Sequence, residues 1–494
     1  MHRLNGEDNG FFHMDLPNQP MTTLSVATLR SEVPLTLDDV RAHIAERLDE
    51  LPSYRWRVLR VPGALHHPVA YRDPDFDLDF HLREAWLPAP GGDGELDALV
   101  CDLASKRLDR RHPLWQVHLV HGLADGRQAF ITRTHHALLD GTAALFTFGR
   151  LHSGPDHEVV RPVEAAEWDG LPAEASSPTG AGASGAPRPW APEVLPRPSR
   201  LVFDALRDQA RDLRRVPGLV KRSWTGFRAV DARAKASPVT VPAPVRDTEA
   251  CSLNDAFTAR RAWTPVALPL ADLKAVKDAA GVSLNDVVLA VVASAFRGYL
   301  IARDDLPSKP LTCSVPVGLD APGAPPRQTT NWFGSLTTSL CTDVEDPWER
   351  LAAISEVTSE SKHRNELMGE ALLPEWLDVI PPFVVERGVL GHNRGRQANR
   401  DQADVNVLVS NLRGPSQRWH LGPALVEDLY LSGPPSNGVG SNFLVWSYGD
   451  RMLFGIRSFA DSLDSPAELR ARLTDALAEL VALAADHAPQ SAPA

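Results

Sequence analysis

The chain has 494 residues, 43% of them hydrophobic, and a formal charge of −12 at pH 7, which allows more than one globular core and argues against a nucleic-acid partner. Cys101, Cys251, Cys313 and Cys341 are scattered with no Cys-x-x-Cys pair, and the first residues carry no apolar signal stretch, as expected of a cytoplasmic chain. The longest apolar run, Val287 to Phe296, is about half of what spans a bilayer, so membrane contact is expected to be peripheral.

Thr36-Leu37-Asp38-Asp39 ahead of Val40 to Leu48 predicts a capped amphipathic helix, with the threonine receiving free amides and the aspartates suited to the helix dipole. Pro52 lies beyond its end. Tyr54 to Leu59 and Phe80 to Leu82 read as strands, and Gly94 to Leu108 as a helix. Asp109 to Trp115 reads as a turn feeding a strand from Gln116 to Val120. Gln128 to Thr132 alternates as a strand does. It runs into Arg133-Thr134-His135-His136-Ala137-Leu138-Leu139-Asp140-Gly141, with Gly141 permitting a bend and Thr142 to Phe148 opening a helix.

This turn is the place where chemistry is expected. A neutral imidazole can take a proton from a hydroxyl near pH 7, which suits general-base work on an alcohol attacking an acyl group. Successive side chains of extended backbone point to opposite faces, so one histidine can face a cavity while the other faces the scaffold. The same geometry speaks against a metal held by the pair. With 17 His and 33 Gly in the chain, the whole His-His-x-x-x-Asp-Gly pattern is improbable by accident, which selects His136 for function. Asp140 reads as a helix N-cap or as the partner of a buried arginine ahead of direct catalysis.

From 159 to 245 the character changes. Ala, Ser, Gly and Pro dominate Ala173 to Pro198, and Arg200 to Lys235 reads as basic helix broken at Pro217-Gly218. Between Arg207 and Lys235 nine Lys/Arg face three Asp, a net +6 interleaved with Leu213, Leu219, Val220, Trp224 and Phe227; this is either an interdomain helix or a docking surface for anionic lipid. Beyond it come a strand from Arg260 to Ala267, a helix from Ala271 to Ala280 stopped by Gly281, and a buried helix from Val287 to Leu300 capped by Ser283-Leu284-Asn285-Asp286. Cys313 to Val317 and Val405 to Leu412 read as strands, Phe443 to Tyr448 and Met452 to Ile456 as a hairpin around Gly449-Asp450, and Ser465 to Ala485 as a closing helix.

The histidine pattern resembles the signature of the coenzyme A-dependent acyltransferase superfamily, which includes bacterial wax ester synthase/diacylglycerol acyltransferases and the condensation domains of peptide synthetases. Pro113-Leu114-Trp115 before the histidine turn, Asn285-Asp286, Ser314-Val315-Pro316, Asn331-Trp332-Phe333-Gly334 and Ser410-Asn411-Leu412-Arg413-Gly414-Pro415 are similar to motifs of the wax ester synthase branch. The resemblance implies an α/β fold of two chloramphenicol-acetyltransferase-like domains, each a mixed β-sheet flanked by helices, with the active-site channel between them. The expected division is 1–158, a connector at 159–245, 246–486 and a tail at 487–494. It further implies acyl-CoA as co-substrate with no bound cofactor or metal, and a diacylglycerol or fatty alcohol as acceptor. His136 would be the base, with His135, Asp140 and Asn285 beside it, Asn285 toward the oxyanion, and Gly141, Asp286, Pro113, Leu114 and Trp115 as support. The alternatives are a condensation-type acyltransferase using a carrier-bound acyl group, and a catalytically silent acyl-CoA- or lipid-binding protein.

Overall fold

The computed structural model describes residues 1–152, 195–243, 248–254, 257–321, 324, 327–398 and 402–487. Most of the Ala/Pro/Gly stretch and nearly all of the tail lie outside the described residues.

Two six-stranded sheets carry the fold. The first runs His420–Leu421, Ala424–Ser432, Thr22–Arg30, Gln128–His135, Trp115–His121, Leu82–Trp86, and the second runs Phe333–Ser339, Thr312–Gly318, Val407–Leu412, Ser441–Tyr448, Arg451–Phe459, Arg261–Pro269. Both are mixed. Leu82–Trp86 is parallel to its neighbour, and Val407–Leu412 is parallel to both of its own. Helices cover them: Asp93–Ala104 packs Val100 and Leu103 near Leu24, Val120 and Ile131 of the first sheet, and Leu284–Ile301 and Pro466–His487 share the core of the second.

The sheets do not follow chain order. Ala424–Ser432 pairs antiparallel with Thr22–Arg30, so the segment 246–486 lends two strands to the sheet built mostly by 1–158. The loan also joins the cores. Trp446 Nε1 donates to the Leu429 carbonyl at 2.7 Å, and a Cβ at Gly455 would stand 1.8 Å from the Leu431 oxygen, so only glycine lets the second sheet approach this closely.

Leu284–Ile301 is long and apolar enough to cross a membrane by length and composition, yet 72% of it is buried inside the protein. It is a core helix here, apolar on most faces because neighbours surround it. Local departures from the sequence reading have packing causes. Leu78–Phe80 is a 3-10 turn and the strand begins at Leu82, because His81 is held back against Trp115 by a ring stack and a 2.8 Å bond to its carbonyl. The basic helices break at Leu213–Arg215; Pro217 instead sits in the first turn of Val216–Ala236, where its missing N–H costs nothing.

Candidate active site

Gln128–His135, an interior strand of the first sheet, ends on His135 with His136 just beyond, and flanking backbone grips them on either side. His135 N–H donates to the Leu114 carbonyl at 3.0 Å and His136 N–H to the Met21 carbonyl at 2.9 Å. Leu114 is itself locked, being buried beside Leu108, Leu138 and Leu139. Its neighbour Trp115 is sandwiched between Tyr54 and His81 and donates Nε1 to the Tyr54 carbonyl at 2.7 Å. Pro113 closes the turn by accepting Trp115 N–H at 3.0 Å. These three residues therefore hold the strand end that carries the histidines.

A nine-residue helix, Gly6–Met14, lies over the turn, started by a capping box between Asn5 and Asp8. Its adjacent phenylalanines take one histidine each: Phe11 stacks on His136 at 4.0 Å between centroids, and Phe12 on His135 at 4.7 Å. The two rings have different surroundings. His135 is buried, its Nδ1 accepts the Ala137 N–H at 3.1 Å, and its Nε2 lies 3.6 Å from Asp15 Oδ2. Accepting at Nδ1 places the proton on Nε2, toward that carboxylate. Burial would raise Asp15, but His135 and the nearby Arg107 and Arg110 hold it well below the usual carboxylate range. His135 is lowered, since burial outweighs the attraction of Asp15.

His136 is different. Its Nδ1 is buried with no hydrogen-bond partner, and burial pushes its pKa down to about 4, so the imidazole is neutral at pH 7.

The turn is braced from the other half of the chain. Asn331, fully buried, donates Nδ2 to the His136 carbonyl at 2.9 Å and to Asp8 Oδ1 at 2.8 Å, while its own Oδ1 has no partner. Asp140 does two things at once. Oδ1 caps the helix Gly141–His152 by accepting Ala143 N–H at 3.0 Å, and Oδ2 accepts Trp332 N–H at 2.9 Å and pairs with Arg327 at 2.7 Å. Both readings made of Asp140 from sequence, cap and partner of a buried arginine, describe its contacts. Gly141 serves otherwise than expected. It has no positive φ, and what crowds the position is the Leu412 side chain, 3.0 Å from where a Cβ would stand.

Asn285 and Asp286 open the core helix. Asp286 closes a capping box with Ser283 and accepts Ser355 Oγ at 3.2 Å. Asn285 is 5% exposed, and among the described residues no hydrogen bond joins it to the histidine turn. A cavity of about 340 Å³ partly lined by Met14, Gln19, His392 and Asn437 lies past the end of the Gly6–Met14 helix, and neither histidine lines it.

Sequence reading missed Phe11, Phe12, Asp15, Arg327 and the acidic start of the first helix. Burial, opposed by the Phe333 N–H, pushes Glu7 up to about 8, and burial opposed by Asn331 pushes Asp8 up to about 7. The Asn5-x-x-Asp8 spacing was a legible capping signal for that helix; its placement over the histidines was not.

Known proteins agree with this arrangement. Residues 4–288 match the wax ester synthase/diacylglycerol acyltransferase catalytic domain, and residues 329–481 the C-terminal domain of the same family. Rv0221 of Mycobacterium tuberculosis, provisionally named a diacylglycerol O-acyltransferase, is 31% identical over 95% of this chain and 94% of its own. Rv3087 of the same organism, with the same provisional activity in its name, is 31% identical over 98% of each. Among solved structures, the wax ester synthase/diacylglycerol acyltransferase of Marinobacter aquaeolei VT8 superposes with a TM-score of 0.65 at 26% identity, over 98% of this chain and 100% of that one. The first condensation domain of the calcium-dependent antibiotic synthetase, at 16% identity and a TM-score of 0.55, shares the fold. The chain, a pair of mixed sheets flanked by helices with a His-His-x-x-x-Asp-Gly turn braced between its halves, belongs to the wax ester synthase/diacylglycerol acyltransferase family of O-acyltransferases.

Proposed function

We propose that the protein transfers the acyl group of an acyl-CoA to the hydroxyl of a diacylglycerol or long-chain alcohol, with His136 as general base. The observation that carries this reading is the state of His136: a neutral imidazole at a strand end, stacked on Phe11, with its Nδ1 unpartnered. A base held neutral by burial and free of a competing bond is ready to accept a proton. His135, whose Nδ1 is occupied by backbone and whose Nε2 faces Asp15, is not.

In this reading Nε2 of His136 takes the hydroxyl proton as the alcohol oxygen forms its bond to the thioester carbonyl carbon. The tetrahedral intermediate collapses by breaking the C–S bond, and the imidazolium returns the proton to the sulfur, releasing coenzyme A as thiol and the ester. Asn331 acts on His136 as a positioning residue. Its Oδ1 and the ring Nδ1 are both buried and both orphaned on residues already in contact, and their pairing would keep the proton on Nδ1 and leave Nε2 as the base. Asn285, buried in the first turn of the core helix, is the residue we assign to the carbonyl oxygen as negative charge develops there.

The test is thiol release by the purified protein given palmitoyl-CoA with dioleoylglycerol or hexadecanol, with the ester product identified. Ester formation with either acceptor supports the reading. Binding of palmitoyl-CoA without turnover on any acceptor would instead mark a silent lipid-binding protein, and turnover only with a carrier-bound acyl group would mark a condensation-type enzyme.

A further inference from the structure

The helices Pro198–Asp212 and Val216–Ala236 have one face fully committed to the protein. Leu201, Ala205 and Leu219 are buried, and Gly226 lies so close to Met368 that a Cβ would meet its carbonyl oxygen at 2.8 Å. Arg222 pairs with Glu375, Arg233 with Glu360 at 2.6 Å, and Trp376 Nε1 donates to Ser223 Oγ at 3.0 Å. These contacts fix the rotation of both helices and decide which side chains face outward.

What faces outward is an ordered stripe. Phe203, Leu206, Leu213, Val220, Trp224 and Phe227 are each 52–68% exposed. Leu206, Leu213, Val220 and Phe227 recur every seven residues, so they align along one side across the short break between the helices. Each is followed at once by a cation: Arg207, Arg214, Lys221 and Arg228. Arg207 pairs with Asp204 and Asp208 of its own helix, whereas Arg214, Lys221 and Arg228 have no ion-pair partner among the described residues. A soluble monomer seldom leaves a contiguous apolar patch of this kind uncovered.

The chemistry of the stripe selects its occupant. Cations alone would fit any polyanion, but large aliphatic and aromatic side chains between them gain nothing from a phosphate backbone. A second copy set face to face would bring a segment of net +6 against itself. Anionic phospholipid satisfies both halves of the pattern, receiving apolar side chains at the acyl boundary and cations at the headgroups. We infer that the outer face of these two helices docks on the surface of an anionic phospholipid membrane.

Co-sedimentation of the full-length protein with phosphatidylcholine vesicles, made with and without phosphatidylglycerol, tests this without reference to catalysis. The expected result is recruitment that requires phosphatidylglycerol and is released by salt. The charge variant Arg214→Gln/Lys221→Gln/Arg228→Gln should weaken partitioning about 10-fold or more. Trp224→Ser/Phe227→Ser should weaken it at every salt concentration. Both variants should keep the wild-type melting temperature, because the altered side chains lie on the outer face. Wild-type protein that ignores phosphatidylglycerol vesicles, or variants that bind as well as wild type, would overturn the proposal. So would a concentration-dependent dimer abolished by Trp224→Ser/Phe227→Ser, which would assign the stripe to a second copy.

Discussion

The histidine turn and the start of the core helix at Ser283 use the same local device, a helix N-terminus whose free amides are taken by side-chain oxygens, and they are held in different ways. At Ser283 the cap is mostly local: Ser283 and Asp286 serve each other across three residues, and one longer contact, from Ser355, joins them. At the histidine turn Asp140 caps its own helix with one oxygen and reaches Trp332 and Arg327 with the other. Asn331 holds the His136 carbonyl, and the Leu412 side chain packs tightly over position 141. A cap answered within its own turn sets where a helix begins. A cap answered from nearly 200 residues away sets where two halves of a protein meet, and a reacting group placed there is positioned by both.

The largest effect should come from the reacting group itself. His136→Ala should lower thiol release by about 10²–10⁴-fold with little change in melting temperature, since the ring makes one stack and its Nδ1 has no partner. His135→Ala should do the reverse in kind: it removes the Phe12 stack and the imidazole N–H that faces buried Asp15, so its loss of turnover should travel with a lowered melting temperature. Near-normal turnover in His136→Ala would remove the basis for separating the two histidines.

The contrast between the caps is sharpened by paired substitutions. Asp140→Asn keeps an oxygen for the Ala143 N–H but loses one of the two carboxylates on Arg327, which retains Asp320, and takes the acceptor from the Trp332 N–H, so it should cost about 2 kcal/mol in denaturant unfolding. Asp286→Asn should cost about 1 kcal/mol, as for an ordinary cap. Equal losses would mean that the turn is braced no better than the helix start, and a fully stable Asp140→Asn protein without activity would move Asp140 into the chemistry.

Asn331→Ala should reduce turnover about 10-fold through the loss of a buried hydrogen bond, with KM unchanged. Because Asn331 favours the protonated form of His136, its removal should also shift the acid limb of the rate profile to lower pH. A purely structural role would leave that limb in place.

The smallest effect is read in the wild-type protein. Burial lowers His136 from 6.5 to about 4, so the base stays neutral through pH 5 and the acid limb should fall near pH 4 to 5. The folded state binds this proton less readily than the unfolded chain does. Its contribution to stability is therefore complete above pH 6.5 and is lost as pH falls toward 4. An acid limb at 6.5 would show a solvated histidine.

Much of the fold was legible because it is local. The Thr36 and Ser283 capping boxes, the left-handed Gly281 that stops Leu270–Ala280, and the hairpin turning at Gly449 are short-range hydrogen-bond and dihedral preferences, and all appear where the spacing placed them. The histidine turn was legible as a pattern, since few other chemistries call for two imidazoles, a carboxylate and a glycine at the end of a strand. What tertiary structure alone decided is how that pattern is held. That Ala424–Ser432 joins the opposite sheet, that Phe11 and Phe12 divide the two histidines between them, and that Asn331 and Arg327 reach the turn are contacts between residues distant in the chain. No periodicity or propensity encodes them, because they follow from closure of the two cores on each other, and one interface fixes many such contacts together.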